Sequence, residues 1–479
     1  MSDPHGIPKP SGLRPVKTAT ESQTIWSIIP EREFRQNLVT LERRTNAVPI
    51  AVLNSSVVED GPTEFGTLPL SIERSLADDL AYLAAVTEGA QSVAAVCLEQ
   101  HVGAKKLVVR VAGMDVVDQK VRDMLSGIAA VLESAAFAED VSDWEERVFA
   151  MIIEQHSQKL LGRMRSVKWT KPAYLRRTHK KPLVKDFENV AHRVQHVYPR
   201  KGEWKVRKTL AGVIAALSKE YERFESGAFK DELLQELYRL VKATYDFCMV
   251  FEVRDFASRI ASIDGPTPQI AAAVKTLRQL EKIGAYWRIA KDLITTAKKF
   301  PDSFRRVELE YVIPYAEAET DIAYESWAKI MHVHAEVQLM VEYAIRQQRV
   351  ALQSGDEVSG STIIWPRTIG TSKYLCYLCY LFMREHGGFG QDLSSHGRLF
   401  DQWTVPDLRE YDSGTRDKLA DVLCKVNQCV ENQIADLRRD VVWRPEPMTS
   451  RQNLLGCGDE VEKDDGTAVE ELEQKLSAL

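Results

Sequence analysis

Two short stretches of this 479-residue chain carry side chains that can hold a metal. The first, KIMHVHAEVQLM, contains His334-Ala335-Glu336, and the second, TSKYLCYLCYLF, contains Cys376 and Cys379. Three positions apart on a helix, the two thiols share a face and can reach one ion. A helix start carries partial positive charge, which favours thiolate over thiol. Taken alone, the cysteine pair is equally compatible with two core thiols. His334, where strand or loop gives way to helix, supplies a third donor. Three protein ligands leave a fourth position for water, the pattern of a catalytic rather than a structural zinc. Glu336, two residues on, suits contact with that water rather than with the metal. Zinc lowers the pKa of a bound water towards neutrality, and a nearby carboxylate can carry its proton to a departing amine.

The elements around these residues follow from periodicity. RVELEYVIPYAE alternates Val307, Leu309, Tyr311 and Ile313, as a strand with one buried face does. A helical run follows from Ala335 to about Val350, then a loop, then a short strand in STIIWP closed by Pro366. SKYLCYLCYLFMREHGG is predicted helical, with Ser372 as N-cap and Gly387 as its stop. Alternating strands and helices indicate an α/β layer, so the expected fold class is α/β. A domain boundary is expected near residue 300.

From Leu70 to Lys299 the periodicity reads as helical, and Ser142 is a candidate N-cap with Glu145 three residues later. The expected organisation is therefore 1–25 disordered, 26–299 a mostly helical domain, 300–445 the α/β zinc domain, and 446–479 an acidic tail. A last helix covers SGTRDKLADVLCKVNQCVENQIADLRRD, whose Cys424 and Cys429 are spaced poorly for one helical face.

Seven cysteines in so long a chain do not form a secreted disulfide framework. The polar, proline-rich N-terminus has no apolar core of a secretory signal, and no stretch is apolar enough to span a bilayer. An intracellular location, cytoplasm or nucleus, is expected. A net charge of −6 does not by itself imply a nucleic acid or membrane partner.

H-x-E with a later C-x-x-C is the zinc deaminase signature, in which the Glu is acid and base and not a ligand. Residues 300 to about 410 resemble the cytidine-deaminase-like superfamily. Within it they are similar to a deaminase-like family common in fungi and named after a rickettsial prototype. The residues that carry the likeness are His334-Ala335-Glu336, Ile369-Gly370-Thr371-Ser372-Lys373, Cys376-Tyr377-Leu378-Cys379, and Ser395-His396-Gly397 with Trp403 and Pro406. The resemblance implies an α/β/α cytidine-deaminase-like domain. It implies Zn2+ held by His334, Cys376 and Cys379, and Glu336 as proton shuttle. One departure is Leu375, where the wider superfamily has Pro before the first Cys.

His332 and His396 are alternative fourth ligands that would close the site. Lys373, His396 and Trp403 are candidate substrate contacts, with Lys373 meeting a phosphate and Trp403 stacking on a base. His192 and His196, four apart, lack the carboxylate of a zinc-protease motif. Residues 159–208 carry a net charge of +13, interleaved with Trp169, Tyr174, Tyr198 and Trp204. Basic and aromatic residues together suit single-stranded nucleic acid; intramolecular pairing with the acidic remainder is the competing reading. The expected activity is hydrolytic deamination of a nucleobase. The alternative is a non-catalytic, zinc-stabilised interaction module on a helical scaffold.

Overall fold

The computed structural model describes residues 24–51, 53, 67–87, 92–173, 181–228, 232–353, 363–390, 394–436 and 454–455. In chain order the elements are α1 Glu31–Thr45, α2 Leu70–Ala84, β1 Ala94–His101, β2 Lys106–Gly113, α3 Gln119–Ala135, α4 Ser142–Met164, α5 Phe187–Val197, α6 Trp204–Ser226, α7 Leu233–Met249, α8 Phe251–Ala261 and α9 Pro268–Lys299. They continue with β3 Arg306–Tyr311, β4 Ala318–Glu319, β5 Ile330–Met331, α10 Ala335–Gln353, β6 Ile363–Ile364, β7 Gly370–Thr371, α11 Tyr377–His386 and α12 Ser413–Ala435. The fold is mixed helix and sheet.

Two compact units divide the chain, and the main stretch of the second, Ala138–Thr295, interrupts the first. Unit one comprises Met1–Ala85, Ala90–Phe137 and Thr296–Arg451. Unit two comprises Val86–Gly89, Ala138–Thr295 and Gln452–Leu479.

Unit one holds a sheet of order β3-β2-β1-β6, with β7 also paired to β1. β1 and β2 form an antiparallel pair, and β2 and β3 run parallel. Ala95, Cys97 and Ala112 enter one buried cluster together with α10, α11 and α12. The alternating residues Val96 and Leu98 are buried too, so both faces of β1 are covered. A buried ionic set ties this sheet to α10. Arg110 lies 3.5 Å from Glu99 and donates to the Tyr343 hydroxyl at 3.3 Å, and Arg346 lies 3.4 Å from Glu99.

This architecture corrects the expected boundary at residue 300. SVAAVCLEQ forms β1 instead of continuing a helix, and β1 and β2 build the sheet that β3 joins. A strand buried on both faces shows no alternation, so its apolar run is indistinguishable from a buried helix by period alone. Ser142 is likewise not a cap but the first residue of α4, its N–H and hydroxyl accepted by Asp140 Oδ1 at 3.0 and 2.9 Å. Of the segment expected to be disordered, residues 1–23 lie outside the described residues. Thr24 is hydrogen-bonded to Asp407 at 2.5 Å and Ile25 is fully buried. The acidic tail also lies outside them, save Leu454 and Leu455. These two are buried in unit two, where the Leu455 N–H donates to Glu281 at 3.0 Å. Among the described residues no helix is long and apolar enough to cross a membrane.

The approach of α2 to β7 leaves no room. A Cβ on Gly370 would lie 2.1 Å from the Ala77 carbonyl carbon, so backbone would have to move. Gly370→Ala is expected to cost about 1–3 kcal/mol or more, read as a lowered denaturation midpoint. An unchanged midpoint would show that β7 and α2 can separate freely.

Elsewhere in unit one, burial, with Asp401 beside it, pushes the Glu42 carboxyl from 4.5 up to about 8. Between those pH values the folded chain keeps a proton that the unfolded chain has released, so stability falls as pH rises through the window. Glu42→Gln removes this titration. It is expected to stabilise the protein by roughly 1–3 kcal/mol at pH 8 relative to pH 5, compared by chemical denaturation at both pH values. An equal effect at both would refute the assignment.

Candidate metal centre

Each half of the centre sits at a helix start. His334 directly precedes α10, and its carbonyl accepts the Gln338 N–H at 3.0 Å. The Gln338 side chain donates to Gly113 O and Val333 O, both at 2.9 Å. This pins the beginning of α10 to the end of β2. Cys376 is the N-cap of α11, its sulfur accepting the Cys379 N–H at 3.3 Å. The expected N-cap, Ser372, lies outside the helix. It is drawn instead to β1, where its N–H donates to Ala94 O at 3.0 Å and its hydroxyl accepts the Ala94 N–H at 3.1 Å. Gly387 does stop α11, in the left-handed conformation with φ 65°.

The loop between β7 and α11 is fixed from several sides. Asp78 Oδ1 accepts the Thr371 N–H at 2.7 Å, and Ser395 Oγ donates to Leu375 O at 3.0 Å. Gly397, at φ 73°, presses against the Ile50 carbonyl, 2.1 Å from where a Cβ would stand. Residues from three distant parts of the chain therefore set where Cys376 points.

His334, Cys376 and Cys379 come together with ligand atoms all within 4.8 Å of one another. His334 Nδ1 is 3.6 Å from Cys376 Sγ and 3.4 Å from Cys379 Sγ. A tetrahedral zinc, about 2.3 Å from sulfur and about 2.0 Å from nitrogen, spaces such atoms about 3.5 Å apart. Donor chemistry and spacing both fit that ion. His332 and His396 are not in the group, so neither closes it with a fourth ligand. His332 lies 3.7 Å from Glu317 instead. Glu336 is buried, its Oε2 3.6 Å from Cys379 Sγ.

Charge is distributed unevenly over these groups. Burial alone would raise the Cys376 thiol. The hydrogen bonds from Cys379 and the adjacent His334 ring instead bring it well below the usual thiol range. Burial and the Cys376 charge push Cys379 well above that range. Burial disfavours a charged His334, but Cys376 and Glu336 outweigh it and the ring's pKa is raised. Glu336 is raised chiefly by burial, against the pull of His334.

The three candidate substrate contacts fall differently. Trp403 has 0% exposure, with Phe382 edge-on at 5.5 Å and Phe34 at 6.4 Å. That leaves no face for a base, which corrects the expected stacking role. Its indole N–H instead donates to Cys379 Sγ at 3.3 Å. His396 is buried near Cys376, and burial lowers its pKa. Its Nδ1 accepts the Arg398 N–H at 3.2 Å, so the neutral ring carries its proton on Nε2. Lys373 is half-buried, and its carbonyl accepts the Thr371 hydroxyl at 2.7 Å. Phe400, 6.1 Å from His334 and 6.0 Å from His396, was not singled out in the sequence. An isolated aromatic carries no periodic signal. Gln338, one helical turn after His334, was legible in principle as a buried polar residue needing partners.

Trp403→Phe removes the hydrogen bond to Cys379 and keeps an aromatic ring. About 10-fold weaker metal binding is expected, with a shifted sulfur-to-metal charge-transfer band in the cobalt-substituted protein. Phe382→Leu loosens the same packing without touching sulfur and controls for it. Identical spectra for Trp403→Phe and wild type would refute the role.

Residues 333–407 match the model of a protein family described as "OTT_1508_deam:-like deaminase". Neither a curated protein nor a solved structure matches the chain.

Proposed function

We propose that this protein is a zinc-dependent hydrolytic deaminase acting on a nucleobase, within a cytidine-deaminase-like α/β/α domain. The observation that carries this is the convergence of His334, Cys376 and Cys379 with Glu336 packed against Cys379. The match of residues 333–407 to a deaminase family supports it.

A zinc ion held there would act as a Lewis acid towards a water molecule. The protein's own residues supply the rest. Glu336 accepts a proton from the attacking water and returns it to the departing amine nitrogen, which leaves as ammonia. Burial raises its pKa, which favours taking up that proton. Trp403 and the Cys379 N–H steady the two sulfurs, so the carboxylate is the mobile proton carrier. The buried His396, with its proton on Nε2, is a donor for the base. Lys373 is the proposed phosphate contact.

The test is ammonia release from cytidine and adenosine substrates, free and in oligonucleotides, with zinc content measured alongside. Wild type is expected to carry one zinc per chain and to release ammonia. Glu336→Ala is expected to keep the zinc and lose about 10²–10⁴-fold in rate. Cys376→Ser is expected to lose the metal. Stoichiometric zinc with no ammonia from any substrate would overturn the enzyme and leave the interaction module.

A further inference from the structure

The second unit carries a charged surface that the catalytic reading does not use. Within residues 159–208, part of the basic excess is engaged inside the unit. Arg165 and Lys181 both pair with Asp186, and Lys168 donates to Glu225 O at 2.9 Å. Lys159 is buried. Intramolecular contact accounts for these groups.

It does not explain the corner between α5 and α6. There Arg200, Lys201, Lys205 and Lys208 are all exposed. Among the described residues no carboxylate is within ion-pair distance of Lys201, Lys205 or Lys208. Lys201 lies in the short turn before α6, and helical spacing puts Trp204, Lys205 and Lys208 on one face of α6. Trp204 stands among them with 53% exposure. Of the other interleaved aromatics, Tyr198 is buried, Trp169 is half-buried, and Tyr174 lies outside the described residues. Only Trp204 presents a ring to solvent among those described.

The corner is also held stiffly. Arg207 donates to both Tyr198 O and Arg200 O at 2.7 Å. The Tyr198 hydroxyl donates to Asp255 at 2.7 Å, and the Arg259 guanidinium covers its ring at 4.9 Å. An exposed indole beside unpaired ammonium groups offers two things at once. It gives a stacking face for a base and positive charge for the flanking phosphates. A lipid surface also accepts an indole beside lysines, but membrane insertion needs several exposed apolar side chains, and among the described residues of 181–228 Trp204 is the one large apolar side chain exposed. We infer that this corner binds single-stranded nucleic acid, with Trp204 stacking on a base and Lys201, Lys205 and Lys208 meeting phosphates. It rests on the deaminase reading only in making a polymer the form in which the base is presented.

The test is fluorescence anisotropy of the full chain with a labelled single-stranded 20-mer, its duplex, and phosphatidylserine vesicles. Each is titrated over a series of salt concentrations. The single strand is expected to bind best. Trp204→Ala is expected to weaken it about 10-fold with the salt slope unchanged. Lys201→Ala, Lys205→Ala and Lys208→Ala together are expected to lower the slope by about 2. These are surface positions, and circular dichroism checks that the variants remain folded. The inference is overturned if vesicles or duplex are preferred, if Trp204→Ala binds as wild type, or if the slope is unmoved. Binding is read without catalysis. An inert Glu336→Ala protein that still binds would leave the corner standing, and an active protein that does not bind would remove it alone.

Discussion

The centre depends on holding ionisable groups away from water. Cys376 and Cys379 are buried 3.6 and 3.4 Å from His334, and Glu336 is buried 3.6 Å from Cys379. Charged groups in such a place cost several kcal/mol each unless they are paired or bonded. The chain offsets this with donors that cannot turn away: the Cys379 N–H on Cys376 and the indole N–H on Cys379. Against the effect of burial, the Cys379 bonds and the His334 ring lower the Cys376 thiol's pKa; burial raises that of Cys379, and Cys376 raises that of His334 against burial. A metal taking both sulfurs as thiolates must displace protons, so binding is linked to pH through this chain's own donors.

Those donors are only as rigid as the backbone behind them, and that backbone is held by β1. Ala94 exchanges two hydrogen bonds with Ser372, one to its backbone and one to its hydroxyl. β7 pairs with Ala95 and Val96, and α2 closes over it at Gly370. A strand more than two hundred positions upstream thus fixes the lead-in to the cysteine helix. This is also why the N-terminal residues cannot be a separate helical domain.

Legibility in the sequence followed the range of the interactions. His334, Glu336, Cys376 and Cys379 were readable because each pair is local, and residue type with spacing carries the chemistry. α12 was readable because it buries one stripe, and α11 because Gly387 closes it, although the first turns of α10 and α11 are buried nearly all round. β1 was not, because a strand covered on both faces shows no alternation. The N-cap was misplaced for a related reason. Ser372 is a good cap by type, but a neighbouring strand offered its hydroxyl and N–H better partners, and a cysteine took the cap. Trp403 shows the limit of reading type alone. Indole suits base stacking and thiolate bonding equally, and only the burial of its ring decides.

The inserted unit follows from a requirement of the sheet. β2 and β3 are parallel neighbours, and parallel neighbours need a long crossover. α3 supplies it: the Glu133 carboxylate near its end accepts the Val307 N–H of β3 at 2.6 Å. With that contact made, the chain between α3 and β3 has no further duty to the sheet. The extra closure entropy of a longer connection grows only with the logarithm of its length. A large helical unit can therefore occupy the crossover without disturbing the strands at its ends. The deaminase match spans 333–407, where the metal-binding pairs are local. The strands that hold those residues, β1 and β2, precede the insertion in the chain. The chemistry is written in one short segment, and its rigidity comes from another.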